Sequence, residues 1–157
     1  MKKFKLTSEF IVDISGVKLF RIKALIEFGN VKAGDLGGYI EKEENLSHMG
    51  DAWVSDDARI SGNAQVFGNA RVFGNAWVSG NARVSGDKDY AYAHGFGSVN
   101  RTTTFFRLKD GGVGVRCGCF YGTLAQFRDK IRETHGETKK AQEYLMLADL
   151  MKLRFEK

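Results

Sequence analysis

Between residues 50 and 85 the hydrophobic and polar positions repeat every six residues. The hexads are Gly50-Asp-Ala-Trp-Val-Ser55, Asp56-Asp-Ala-Arg-Ile-Ser61, Gly62-Asn-Ala-Gln-Val-Phe67, Gly68-Asn-Ala-Arg-Val-Phe73, Gly74-Asn-Ala-Trp-Val-Ser79 and Gly80-Asn-Ala-Arg-Val-Ser85. A fixed period outranks local propensity as a guide to architecture. Side chains alternate along a strand, so Ala52 and Val54 point one way and Trp53 and Ser55 the other. Small Ala and branched Val suit a narrow interior. The Gly-Asn and Asp-Asp pairs suit corners, where the backbone needs positive φ. Three strands and three corners make a coil of about 18 residues, and coils stack about 4.8 Å apart. The expected architecture is a β-solenoid with open ends that need caps.

The 18-residue coil predicts specific stacks. Inside, Val54 meets Val72, Ile60 meets Val78 and Val66 meets Val84, beside Ala columns 52/70, 58/76 and 64/82. Outside, Trp53 lies against Arg71, Arg59 against Trp77 and Gln65 against Arg83. Each Trp/Arg pair is suited to a cation–π contact of roughly 0.5–1 kcal/mol. Such ladders cover the faces, and they also offer Trp53, Arg59, Arg71, Trp77 and Arg83 as an interface for a base or a partner chain.

The flanks carry weaker patterns. Phe10–Ile14, Ser15-Gly16 and Val17–Leu25 alternate and turn as a hairpin, expected to cap the first coil. Ile40 and Leu46 are six apart but two residues out of phase with Val54, which predicts a small insertion near His48. After Gly86-Asp87 the repeat stops, and Asp89–Gly95 reads as a degenerate coil or an edge strand. Val99–Leu108 and Val113–Phe120 read as two strands around the turn Lys109-Asp-Gly-Gly112. Thr123 can cap a helix ending at His135-Gly136, with Leu124, Phe127 and Ile131 as its apolar stripe. A last helix spans about Lys139–Arg154, with Ala141, Tyr144, Leu145, Ala148 and Met151 on one face and Leu147 and Leu150 widening it. The division is an N-terminal β cap (1–39), a β-helix (40–89) and an α+β unit (90–157).

The repeat resembles the left-handed β-helix of hexapeptide-repeat proteins. The flanking segments Asp35-Leu-Gly-Gly-Tyr-Ile-Glu41, Glu44-Asn-Leu-Ser47, Gly95-Phe-Gly-Ser98, Thr102-Thr-Thr-Phe-Phe106 and Cys117-Gly-Cys-Phe120 narrow the resemblance to small hexapeptide-repeat proteins of phages and prophages. The left hand, the phage origin and a trimeric homo-oligomer are what that resemblance implies.

Composition adds limits. The 157 residues include 19 Gly and no Pro, and the formal net charge is +5. The first hundred residues carry 12 basic and 12 acidic side chains, the remainder 12 and 7, so the excess lies in the C-terminal part. It reads as a solvated helix face or an attraction for phosphate or an acidic partner. No run approaches 18 apolar residues, so no membrane span is expected. The start has no apolar run of signal-peptide length, and two Cys make no disulfide framework; cytosol is the expected compartment, and the phage resemblance implies host cytoplasm.

Four chemistries are open to these residues. Hexapeptide-repeat acyltransferases use a His general base, for which His48, His94 and His135 are available, all outside the regular repeat. Cys117 and Cys119 share a strand face, but zinc wants about four ligands; buried thiols are the better reading, and no metal or cofactor is expected. No Walker loop or dinucleotide fingerprint occurs, and nothing marks a sequence-specific nucleic-acid partner. The stretch His94–Thr104 gathers Gly, an aromatic, hydroxyls and Arg101, which suits an anionic ligand. Its candidates are His94, Phe96, Ser98, Asn100, Arg101, Thr102 and Thr103, with Arg101 on phosphate and Phe96 stacking a base; a tight crossover accounts for the same Gly. The fourth is a structural or protein-binding role. The expectation is a non-enzymatic binding protein; the phage resemblance implies that it counters a host defence, by holding a nucleotide signal or masking a host protein.

Overall fold

The fold was obtained as a computed structural model, which describes residues 2–96, 101–118 and 120–156, with Arg101 described by its backbone alone. It is mainly β, with two helices at the C-terminal end.

Six two-residue strands form the repeat: β4 (Trp53–Val54), β5 (Arg59–Ile60), β6 (Gln65–Val66), β7 (Arg71–Val72), β8 (Trp77–Val78) and β9 (Arg83–Val84). They form three parallel pairs, β4, β5 and β6 each with the strand 18 residues on: Trp53 with Arg71, Arg59 with Trp77, Gln65 with Arg83. The expected Val and Ile columns are all present at 0% exposure, and the Ala columns beside them are equally buried. Backbone N–H groups of one coil donate to carbonyls of the next, as from Trp53 to Ala70 at 3.1 Å and from Arg59 to Ala76 at 2.9 Å. The first residue of every hexad lies at positive φ, including Asp56 at 56°. The stacks are three separate sheets rather than one closed wall.

The insertion near His48 is present. Ile40 pairs with Ile60 and Leu46 bridges Val66, offsets two residues longer than in the later coils.

The N-terminal segment does more than cover the first coil. Strands β1 (Phe4–Val12) and β2 (Lys18–Ala24) form the expected hairpin, but β2 also pairs with β3 (Leu36–Ile40) and β3 pairs in parallel with β5. One stack therefore runs β1-β2-β3-β5-β8. Phe4, Ile22, Phe28 and Val31 join the same core as the Val columns.

Beyond the repeat, β10 (Tyr90–Phe96), β11 (Arg101–Arg107), β12 (Val113–Cys117) and β13 (Phe120–Thr123) make an antiparallel meander. The expected strand Val113–Phe120 is broken: Gly118, at φ 59°, lets the chain reverse, and Cys117 pairs with Phe120. The meander is a middle layer. Tyr90 and Phe106 pack on the last coil. Phe105, Val115 and Cys117 face helices α1 (Leu124–His135) and α2 (Lys139–Phe155), whose Phe127, Ile131, Tyr144, Ala148 and Met151 complete a second core. Thr123 and Thr138 cap the two helices through Gln126 N–H and Ala141 N–H. Leu150 does not widen the buried face of α2; it is 53% exposed. No helix among the described residues is long and apolar enough to cross a membrane.

Candidate functional site

Among the described residues, the Gly-rich candidates His94, Phe96, Thr102 and Thr103 are divided between two faces of the meander. His94 and Thr102 are cross-strand neighbours on β10 and β11, with His94 Nδ1 and Thr102 Oγ1 2.7 Å apart. Phe96 is partly buried against the helix core. Thr103 is fully buried and donates to Cys117 Sγ at 3.3 Å. It therefore points to the opposite face from Thr102, as alternation requires. Ser98 and Asn100 lie outside the described residues, as do Cys119 and the Arg101 side chain.

The Trp/Arg faces are largely spoken for within the chain. Trp53 was expected outside and is 4% exposed, because Phe28 covers it edge-on with ring centroids 5.3 Å apart. Arg71 lies against Gly29 of the same covering segment. Trp77 is partly buried, with Arg59 5.7 Å from its ring on one side and Arg116 3.7 Å on the other. Its indole N–H donates to Ser61 Oγ at 2.9 Å. These aromatics hold caps in place, so they do not offer a free stacking surface.

The other histidines are structural. His48 stacks on Phe4 at 4.2 Å and accepts the Lys3 backbone N–H at Nδ1. His135 ends α1 and stacks on Tyr144. Among the described residues no three His, Cys, Asp or Glu side chains gather as a metal would need.

Arg83 is different. It stands partly buried on β9, beside Gln65 of β6, in a cleft of about 410 Å³ on the third stack. Lys42 and Lys109 enter the same cleft, with Asn63, Asn81 and a single acid, Glu44. Each cation arrives by a different route. The segment with Lys42 is pinned by Asn45, whose Oδ1 accepts the Lys42 N–H and whose Nδ2 donates to the Gly62 and Ala64 carbonyls. Lys42 Nζ donates to Asn63 Oδ1 at 2.8 Å. Lys109, on the β11–β12 turn, is tied down by its N–H donating to the Asn81 carbonyl at 2.9 Å. Arg83 is carried by the repeat itself. Among the described residues none of these three cations forms an ion pair with an acid.

The arrangement suits an anion. Lys supplies compact point charge, and Arg supplies a planar fork that matches phosphate or carboxylate oxygens. The amides of Asn63, Gln65 and Asn81 add donors and acceptors that could read a neutral edge. Reading the sequence alone singles out Arg83 but not its companions. Lys42 precedes the repeat and Lys109 follows it, and only the two caps bring them alongside.

The YdcK Beta solenoid repeat family matches residues 64–80, a little less than one coil. That match and the parallel stacks agree on a β-solenoid repeat. No curated protein matches the chain.

Proposed function

We propose that the chain is a non-enzymatic binding protein that sequesters a nucleotide signal, with the phosphates held by Lys42, Arg83 and Lys109. One observation carries the reading: three cations from three separate segments share one cleft with a single acid. Burying or crowding like charges costs free energy unless an opposite charge offsets it. A multiply charged phosphate ligand supplies that offset.

The finer assignments belong to the same proposal. The coil is taken as a left-handed hexapeptide-repeat helix, the protein as phage-derived and trimeric, and its role as countering a host defence in the host cytoplasm. These rest on the repeat and on the resemblance of its flanking segments.

The test is titration calorimetry of the purified protein against a panel of mono- and dinucleotides, with pyrophosphate as a base-free control. Arg83→Ala is expected to weaken binding at least tenfold and to leave the fold intact, since the side chain is outside the Val core. Added salt should weaken binding, as for any charge-dominated contact. Unchanged affinity in Arg83→Ala, or no uptake from the panel, overturns the assignment.

A further inference from the structure

The cation cleft is not isolated. A second cavity, of about 350 Å³, adjoins it, and Glu44 and Gln65 line both. Volumes of this order are usual for small-molecule sites. The two differ in chemistry. The cleft gathers Lys42, Arg83 and Lys109, whereas the second cavity has no Lys or Arg among the described residues and is walled by Glu43, Ser47, His48 and Phe67.

Phe67 is where the repeat departs from its rule. It is the sixth residue of its hexad, a position that is Ser in four of the six. Phe73, the other exception, meets the rings of Tyr90 and Tyr92 at 6.4 and 6.0 Å, so it helps to seat the meander. Among the described residues no aromatic ring packs on Phe67, which is partly exposed on the cavity wall. Its backbone is fixed, since its N–H donates to the Val84 carbonyl of the next coil at 2.9 Å. Gln65 and Phe67 point outward together about 7 Å apart, and Arg83 stands beside Gln65 about 4.8 Å away on the next coil. The Phe67 ring and the Arg83 guanidinium are therefore diagonal neighbours, a separation that the sugar of one nucleotide bridges.

Glu44 sits between them in the wrong charge state for a phosphate cleft. A carboxylate only accepts hydrogen bonds, and it repels phosphate. Glu43 is neutralised by Lys2 at 3.0 Å, but among the described residues Glu44 forms no ion pair. A ligand that fills both cavities has to bring it a donor. The vicinal hydroxyls of a ribose are such donors, and they lie between phosphate and base as Glu44 lies between the two cavities.

We propose that the second cavity is the nucleoside subsite of the cleft, where Phe67 stacks the base and Glu44 accepts hydrogen bonds from the ribose hydroxyls. The inference rests on the reading of the cleft as a phosphate site and narrows its ligand to a ribonucleotide. It also places the stacking aromatic on the repeat, at Phe67 and not at Phe96. Stacking tolerates every base, so the selectivity of the subsite falls on the sugar.

Titration calorimetry of the full chain at fixed salt tests this, with inorganic triphosphate, the ribonucleoside triphosphates and their 2′-deoxy counterparts as probes. Ribonucleotides are expected to bind more tightly than triphosphate, and to lose about tenfold on removal of the 2′-hydroxyl, the worth of one hydrogen bond to a charged group. Phe67→Ser, which installs the residue of the other hexads, should weaken every nucleotide by roughly tenfold and leave triphosphate unchanged. Phe67→Leu keeps apolar bulk without the flat ring and repeats the test should the Ser variant unfold. Glu44→Ala should erase the preference for ribose and bind triphosphate at least as tightly, because a repelling charge is gone. Nucleotides that bind no better than triphosphate, the absence of a ribose preference, or full nucleotide affinity in the Phe67 variants each overturns the subsite and leaves the phosphate cleft standing. Failure to bind triphosphate or any nucleotide overturns the cleft and the subsite together.

Discussion

The Arg116 guanidinium lies 3.7 Å from the centroid of the Trp77 ring and joins β12 of the meander to β8 of the last coil. It ends a longer ladder. Arg21 covers Tyr39 at 4.5 Å, Tyr39 pairs with Arg59, and Arg59 pairs with Trp77. Cations and aromatics thus alternate across β2, β3, β5, β8 and β12. Such a pair gains about 0.5–2 kcal/mol as it is desolvated. A double-mutant cycle with Arg116→Ala and Trp77→Leu, read by urea unfolding, should give a coupling in that range. Coupling indistinguishable from zero would mean the contact merely fills space.

The columns of the repeat were legible because one period dictates every neighbour. Val54 on Val72 and Arg59 beside Trp77 follow from counting, and so does the two-residue slip before Val54. What counting could not supply is which outer side chains the caps would cover. Trp53 is outward-facing in its coil yet buried, because Phe28 folds over it from a segment with no repeat. Thr103 and Thr104 look alike in sequence, but alternation sends one to Cys117 and the other to the last coil. The break at Gly118 had a signal, the Gly between Cys117 and Cys119, which a reading of one continuous strand passes over. The cleft was the least legible feature, since Lys42 and Lys109 are 67 positions apart and meet only in the folded chain.

Thr104 acts as a cap on the solenoid end. In earlier coils the equivalent N–H groups donate to Ala carbonyls, but Trp77 N–H has no following coil and donates to Thr104 Oγ1 at 2.9 Å. Thr104 is fully buried. Thr104→Val keeps the shape and removes the acceptor, so a buried donor loses its partner. The expected cost is about 1–3 kcal/mol, measured as a lower urea midpoint with unchanged slope. Hydrogen exchange at the Trp77 amide should accelerate in the same variant.

The corners predict a graded cost for added methyl groups. Gly68 has φ 63°, and a Cβ there would stand 2.6 Å from the Ser85 carbonyl oxygen of the next coil. Gly16 has φ 89° with nothing within 4 Å of that position. Both substitutions by Ala carry the conformational cost of positive φ, about 1–2 kcal/mol. Only Gly68→Ala also forces two coils apart. Its thermal midpoint should fall clearly further than that of Gly16→Ala; equal losses would show that the coils yield freely at their corners.

Lys3 predicts an alkaline gain in stability. Its side chain is 1% exposed, and its Nζ donates to the Ala52 carbonyl at 2.6 Å and the Gly50 carbonyl at 3.3 Å. Burial lowers its pKa from 10.5 to about 8, against an opposing pull from Asp51. Between about pH 8 and 10.5 the unfolded chain therefore holds a proton that the folded chain has released. Stability then rises with pH across that window, by at most about 1.4 kcal/mol per unit. Below pH 8 both states are protonated and this dependence vanishes. Other groups titrate in the same window, so the informative quantity is the difference between wild type and Lys3→Met, followed by urea unfolding at pH 7.5, 8.5 and 9.5. Wild type should gain on the variant as pH rises. A constant difference would mean that the carbonyls of Gly50 and Ala52 hold the ammonium charged in the folded state and that burial does not set its proton affinity.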